Sequence, residues 1–279
     1  MTAAPSLGTG REVGVKIDGV RKVYETRGEP ILALDNCDLE MKPGEFVSVV
    51  GPSGCGKSTL MLIVAGLLKA SEGTVTIGNT VVQKPYTDLG IVFQEPVLLD
   101  WRKVMGNILL QVELRKGLNK KDYVDRAHEL LELVGLKGFE NRYPYELSGG
   151  MRQRVSICRA LLHDPPLILM DEPFGALDAL TRDQLNLDLQ SLWLGSGKTV
   201  MFVTHSISEA VFLGDRVAVF SGRPGKVVEV LDIDLPRPRP LSIRETPEFS
   251  EYAGEIRNQF SKLGILRDEA RAPGDPPAD

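Results

Sequence analysis

The chain has little of what would tie it to an oxidising compartment, a membrane span or a nucleic acid. Its 279 residues include three cysteines, Cys37, Cys55 and Cys158. They are odd in number, widely spaced and form no CxxC, which excludes a disulfide framework and a thiolate metal site. Reduced, buried thiols are the expectation. The longest nearly apolar stretch, Leu60 to Leu68, falls well short of the roughly 20 residues a membrane-spanning helix needs. The first residues, Met1 to Gly8, lack the basic region and apolar core of a secretory leader, so a cytosolic chain is expected. A net charge of −5 gives no general electrostatic reason to hold nucleic acid, where a basic stripe would be needed. Two of the three histidines, His128 and His163, sit in no pattern that suggests chemistry. No internal repeat is visible, so the chain reads as one unit and not two in tandem.

What is present is ordinary globular material, 42% hydrophobic and 25% charged, in a chain long enough for a substantial core. Residues 1–11 and about 264–279, rich in Gly, Pro, Ala and charge, read as disordered ends. Short β-type runs at Val13–Ile17, Ile31–Leu34 and Phe46–Val50 come first. A helix is expected from Gly56 to Leu68, with Leu60, Ile63, Val64 and Leu67 on one face. Strands are expected at Thr74–Ile77 and Leu89–Phe93. Between about 95 and 150 the pattern turns helical; Lys120 to Leu136 aligns Tyr123, Ala127, Leu130, Leu131 and Val134. Helix 151–162, strand 167–171, helix 179–193, strand 199–204, helix 206–213 and strand 216–220 follow. Such alternation implies a mainly parallel sheet covered by helices on both faces. An edge strand at Lys226–Leu235, the Pro-rich run Leu235–Pro240 and a helix at about 248–263 close the ordered part.

The run Gly51-Pro-Ser-Gly-Cys-Gly-Lys-Ser-Thr59 follows an apolar strand and opens a helix, the context a phosphate-binding loop requires. Gly51, Gly54 and Gly56 let the binding loop, which runs through Pro52, Ser53 and Cys55 to Thr59, curl so that backbone N–H groups face phosphate oxygens. Lys57 supplies a point charge to the β- and γ-phosphates, and the Ser58 hydroxyl ligates Mg²⁺. Cys55 lies inside the loop, so alkylating it is expected to block nucleotide. The apolar strand Leu167–Met170 delivers Asp171 and Glu172 to the edge where doubly wound sheets bind ligands. Asp171 is placed to hold Mg²⁺ directly or through water, and Glu172 to polarise an attacking water. The plainer alternative for Glu172 is an acid at a helix start. Leu147-Ser-Gly-Gly150 exposes N–H groups at another helix start, suited to an anion.

Taken in order, these motifs resemble those of the ATP-binding-cassette (ABC) family across about residues 13–222. The resemblance implies a P-loop NTPase (RecA-like) α/β core with a mainly parallel sheet, an antiparallel β subdomain and an inserted helical subdomain at about 95–150. The ATPase domain would then span 12–222, followed by a C-terminal extension, 223–263. It further implies that Ser148, Gly149 and Gly150 reach the γ-phosphate bound by a second copy of the chain, in an ATP-sandwich homodimer. Gln94, His205 and Asp178 match the family's Q-loop, switch histidine and D-loop; Tyr24 matches the aromatic position that stacks on adenine. By the same resemblance Gln94 joins Ser58 and Asp171 at the metal, while Glu172, His205, Gln94 and Lys57 carry catalysis. On the residues alone, Gln94 could equally cap a strand end and Tyr24 be half-buried. His205 precedes Ser206-Ile-Ser-Glu209, which reads as a capping box.

Asn119-Lys-Lys-Asp122 spells a guanine-recognition motif, but it begins a helix where that motif would end a strand. Asn119 reads as an N-cap with Asp122 facing the helix dipole. Pro96–Asn107, Arg223-Pro-Gly-Lys-Val and Asp234–Arg239 resemble ATPases that energise importers of nitrate, aliphatic sulfonates and taurine. Asp100 departs from the proline usual before Trp101, and Met151-Arg152 from the usual glutamines. The implied partners are an integral membrane permease and, indirectly, an extracytoplasmic solute-binding protein, with the chain peripheral on the cytoplasmic face of the inner membrane. An exporter subunit or a soluble ABC-type machine remains the alternative.

Overall fold

A computed structural model describes residues 12–175 and 177–266; the expectation of disordered ends at 1–11 and about 264–279 lies, but for 264–266, outside the described residues. Along the chain run β1 (Val15–Tyr24), β2 (Ile31–Met41), β3 (Phe46–Val50), α1 (Lys57–Val64), β4 (Glu72–Ile77), β5 (Thr80–Val81) and β6 (Leu89–Val92). A helical stretch follows: α2 (Val104–Ile108), α3 (Leu110–Leu114), α4 (Val124–Leu133) and α5 (Gly149–Leu161). Then come β7 (Leu167–Asp171), α6 (Ala179–Trp193), β8 (Thr199–Thr204), α7 (Ile207–Leu213), β9 (Arg216–Phe220), β10 (Val227–Asp232) and α8 (Pro247–Lys262).

Two sheets carry the fold. One is antiparallel, ordered β2-β1-β4-β5. The other is ordered β10-β9-β3-β8-β7-β6 and is parallel except for β10. Strands β3, β7 and β8 are buried at every residue, as expected of parallel strands covered on both faces. Their side chains alternate between two cores. Phe46, Val50, Ile168, Met170, Val200 and Phe202 point to the helical side. Val47, Val49, Leu167, Leu169, Met201 and Val203 point to α1 and the antiparallel sheet. The P-loop α/β class with its β and helical additions is the one the motifs implied.

Several boundaries differ from expectation. Helix α1 stops at Val64, not Leu68. Gly66, at φ 70°, ends it with a left-handed cap in which Gly66 and Leu67 N–H groups bond back to Ile63 and Leu62. Leu67, expected on the buried face, is consequently exposed. The helix from Lys120 is a 3₁₀ turn up to Tyr123 and α-helical only from Val124 to Leu133. Asn119 caps it, accepting from the Lys121 N–H at 3.1 Å. The edge strand is shorter than Lys226–Leu235. Gly264 to Leu266 are ordered: Ile265 and Leu266 N–H groups bond to the Phe260 carbonyl and close α8.

Residues beyond Ser221 are built into the core. β10 completes the mixed sheet, α8 packs on α7, and Arg239, 1% exposed, joins the two regions. Its guanidinium donates to the carbonyls of Val211, Phe212 and Gly214 at the end of α7, and to those of Ile233 and Leu235. Its own backbone exchanges two hydrogen bonds with the Gln190 amide of α6. Carbonyls left over at a helix terminus thus find donors. Burial, with Arg237 nearby, pulls the Arg239 pKa down to about 10, so the cation persists at neutral pH.

Candidate active site

The apolar strand β3 ends at Val50, and Gly51–Gly56 wrap the N-terminus of α1. Gly56 has φ 110°, and a Cβ there would stand 2.8 Å from the Ala33 carbonyl oxygen. Only glycine fits this close, left-handed approach. A cleft of about 350 Å³ opens beside the loop. Ser53, Gly54, Gly56, Lys57, Ser58 and Thr59 form its floor, and Tyr24, Gln94 and Glu172 also line it. Gly51, Pro52 and Cys55 do not line it. Lys57 donates to the Gly51 and Pro52 carbonyls at 2.9 Å each. Cys55 is buried at 2% exposure, and burial pushes its thiol pKa up against the opposing pull of Lys57. That buried thiol is a poor alkylation target.

Strand β7 carries Asp171 to the same edge, where the Ser58 hydroxyl donates to its Oδ1 at 2.9 Å. Burial raises the Asp171 pKa; the Ser58 bond and Lys57 oppose that, and the neighbouring Glu172 adds to it. Glu172 follows at φ 42°, a conformation that costs a non-glycine residue free energy. Its N–H is anchored to the Val203 carbonyl at 2.8 Å. The twist gathers three partners on one carboxylate: Lys57 Nζ at 3.8 Å, the Gln94 amide at 3.5 Å and His205 Nδ1 at 3.0 Å. A carboxylate only accepts, so Nδ1 carries the proton in that bond.

His205 follows β8 and precedes α7. The capping box after it is half formed. Ser206 accepts from the Glu209 N–H, but the Glu209 carboxylate takes the Thr204 hydroxyl at 2.7 Å and faces Arg182 at 3.5 Å. Tyr24 stands at the rim, its hydroxyl 3.3 Å from Thr59 Oγ1 and the Lys22 ammonium 5.1 Å from its ring centroid. Ser148, Gly149 and Gly150 do not line this cleft. They start α5, where Ser148 Oγ accepts from the Met151 N–H at 3.3 Å. A Cβ on Gly150 would meet Thr181 and Leu177, beside Asp178, the N-cap of α6.

Three lining residues were not singled out from sequence: Ile31, Ala33 and Arg223. Ile31 and Ala33 belong to β2, whose sequence reads only as a strand. Arg223 follows β9 by three residues, and a cation just past a parallel strand's C-terminal end was the available signal.

The cleft's chemistry fits a nucleotide with a hard divalent cation. Gly54 presents bare backbone, with nothing within 4 Å of where a Cβ would stand, next to a helix N-terminus and a lysine. The donors around Ser58 are all oxygens, a hydroxyl against a carboxylate with the Gln94 amide on the same cleft, a set that suits Mg²⁺. Among the described residues no three His, Cys, Asp or Glu cluster as metal ligands. These few donors would supply part of a coordination shell that phosphates and water complete.

Residues 34–175 match the family model described as ABC transporter. The chain is 47% identical to an uncharacterized ABC transporter ATP-binding protein of Methanocaldococcus jannaschii, over 92% of this chain and 93% of that one. It is 45% identical to a taurine import ATP-binding protein of Rhizobium johnstonii, over 92% of this chain and all of that one. It is 43% identical to an aliphatic sulfonates import ATP-binding protein of Bacillus subtilis, over 91% and 97% of the two chains. Among solved structures, a dimeric ATP-binding cassette in a post-hydrolysis state with ADP and Pi superposes with a TM-score of 0.71 at 36% identity. That match covers 80% of this chain and all of the other.

Proposed function

The chain belongs to the ABC transporter family, and from that premise we propose that it powers an importer of nitrate, a sulfonate, taurine or a related small solute. It is an ATP-binding and ATP-hydrolysing subunit that works with Mg²⁺ as a dimer on a membrane permease. The single observation that carries the catalytic reading is the convergence of Lys57, Gln94 and His205 on the Glu172 carboxylate.

In this reading Pro52–Thr59 cradle the phosphates and Tyr24 stacks on the adenine. Ser58, Asp171 and Gln94 hold Mg²⁺, which when bound neutralises charge on the phosphates. Glu172 accepts the proton of the attacking water, which His205 positions near the γ-phosphate. Ser148, Gly149 and Gly150 act on the nucleotide held by the second copy, which accounts for their absence from this chain's own cleft. The ATPase motifs lie within residues 12–222, with the helical subdomain at about 95–150, and 223–263 form an extension packed into the same core. No helix among the described residues is long and apolar enough to cross a membrane. We place the chain at the cytoplasmic face of the inner membrane, served by an extracytoplasmic solute-binding protein. The helical subdomain exposes Val97, Trp101 and Tyr145, an aromatic and apolar surface suited to a permease loop. Solute specificity then resides in partners, since the cargo does not touch this chain.

The test is copurification of tagged Glu172→Gln chain from detergent-solubilised native membranes with ATP present, followed by mass spectrometry. A polytopic permease with a solute-binding protein among the partners is the expected result. Recovery of soluble partners alone would sink the transporter reading.

A further inference from the structure

We propose that Arg223 is an additional nucleotide-binding residue: its guanidinium contacts the phosphate chain of the bound nucleotide, supplied by the hairpin that joins β9 to β10. This deepens the nucleotide reading above and rests on it. Three charged residues line the cleft, Lys57, Glu172 and Arg223. Lys57 and Glu172 face each other at 3.8 Å, and Lys57 spends further donors on the Gly51 and Pro52 carbonyls. Arg223 makes no hydrogen bond or ion pair among the described residues. It is the one cation on the cleft wall, among those residues, with its donors uncommitted.

The backbone that carries it is fixed against the phosphate loop. Gly225 donates to the Ala33 carbonyl at 2.9 Å, and its own carbonyl accepts from Asp35 N–H at 2.9 Å. A Cβ on Gly225 would lie 2.1 Å from the Cys55 carbonyl oxygen, so only glycine admits this approach. Ser221 ties the hairpin together, its hydroxyl donating to the Pro224 carbonyl at 2.9 Å and its N–H to the Lys226 carbonyl. Arg223 is two residues from Gly225, so its Cα stands within about 7 Å of a residue packed on the loop itself. A long side chain from there lines the cleft. A guanidinium offers a planar fork of donors that matches phosphate oxygens two at a time. The alternative use, stacking on the base, is disfavoured by placement: the hairpin leans on Cys55, in the phosphate loop, while Tyr24 provides the ring.

The experiment is calorimetric titration of ATP, ADP and AMP with Mg²⁺ into the full-length wild type, Arg223→Gln and Arg223→Lys at two salt concentrations. For Arg223→Gln the ATP and ADP dissociation constants are expected to rise roughly tenfold, as for loss of one charged hydrogen-bonding group, and that of AMP less than twofold. The salt dependence should flatten, and Arg223→Lys should recover part of the loss. Thermal midpoints without nucleotide should coincide, since the side chain makes no bonds in the described structure. Wild type that binds while Arg223→Gln binds ATP equally well would overturn the inference, as would an equal loss for AMP and ATP. Wild type that fails to bind any of the three would instead bring down the nucleotide reading itself.

Discussion

His205 Nδ1 lies 3.0 Å from Glu172 Oε2 across two strand ends, and the same carboxylate is held by Lys57 and Gln94. The imidazole comes off β8 and the carboxylate off β7, which pair in parallel with Asp171 opposite Val203. The Glu172 N–H, bonded to the Val203 carbonyl, carries that register one residue past the strand and sets the separation of the two side chains.

Replacing Glu172 by Gln keeps the shape and removes the base. Turnover should fall by about 10²–10⁴-fold, the usual contribution of a positioned general base, while ATP binding persists and ATP-bound dimer accumulates on size exclusion. Full turnover in this variant would remove Glu172 from the base role. His205→Ala should lower turnover while leaving the ATP dissociation constant within a few-fold.

Two inactive variants should complement each other. Lys57→Ala lacks the phosphate lysine, and Ser148→Arg blocks the signature. If each site combines one chain's Lys57 with Ser148 of the partner subunit, a mixed dimer holds one intact site, and mixing the two proteins restores hydrolysis from near zero. Should mixing restore nothing, with mixed dimers demonstrated, the signature acts within its own chain.

Asp171→Asn should trade function for stability. Burial raises the Asp171 pKa, so the folded state holds that proton more tightly than the unfolded one. The ionised carboxylate therefore subtracts stability as pH rises from the unfolded value through the folded one. Asn keeps an acceptor for the Ser58 hydroxyl without the charge. Its thermal midpoint should exceed that of wild type at pH 7, the gap closing toward pH 4, while Mg²⁺-dependent hydrolysis drops at least about a hundredfold.

Arg239→Ala should be the most damaging substitution outside the cleft. It orphans carbonyls of Val211, Phe212, Gly214, Ile233 and Leu235 in a buried setting. A loss of about 3–5 kcal/mol by urea unfolding is expected, the range for breaking a buried polar network. A cost under about 1 kcal/mol would mean that water replaces the guanidinium.

Strand–helix alternation made the sheet legible because β3, β7 and β8 are apolar throughout and bounded by turn residues. The catalytic residue types were legible for the same reason: Lys57, Asp171 and His205 all stand at the ends of such strands or the helix that follows. Helix ends were less so. Leu67 keeps the apolar period, but Gly66 adopts a left-handed turn that periodicity does not register. The roles of Arg239 and Arg223 were not legible, though both lie in segments that resemble the family, because those roles depend on neighbours far along the chain. Leu235–Pro240 reads only as a Pro-rich run, and nothing local reveals that one of its arginines fills a pocket of carbonyls.

Gly225 wedged against Cys55 also bears on the order in which this protein is made. The wall behind the phosphate loop comes from a hairpin translated long after the loop, once most of both sheets has left the ribosome. A nascent chain arrested before Gly225 would carry every residue of the nucleotide loop but not the glycine packed on its Cys55 carbonyl. The backing of the loop is thus complete only once the chain has been made through Gly225.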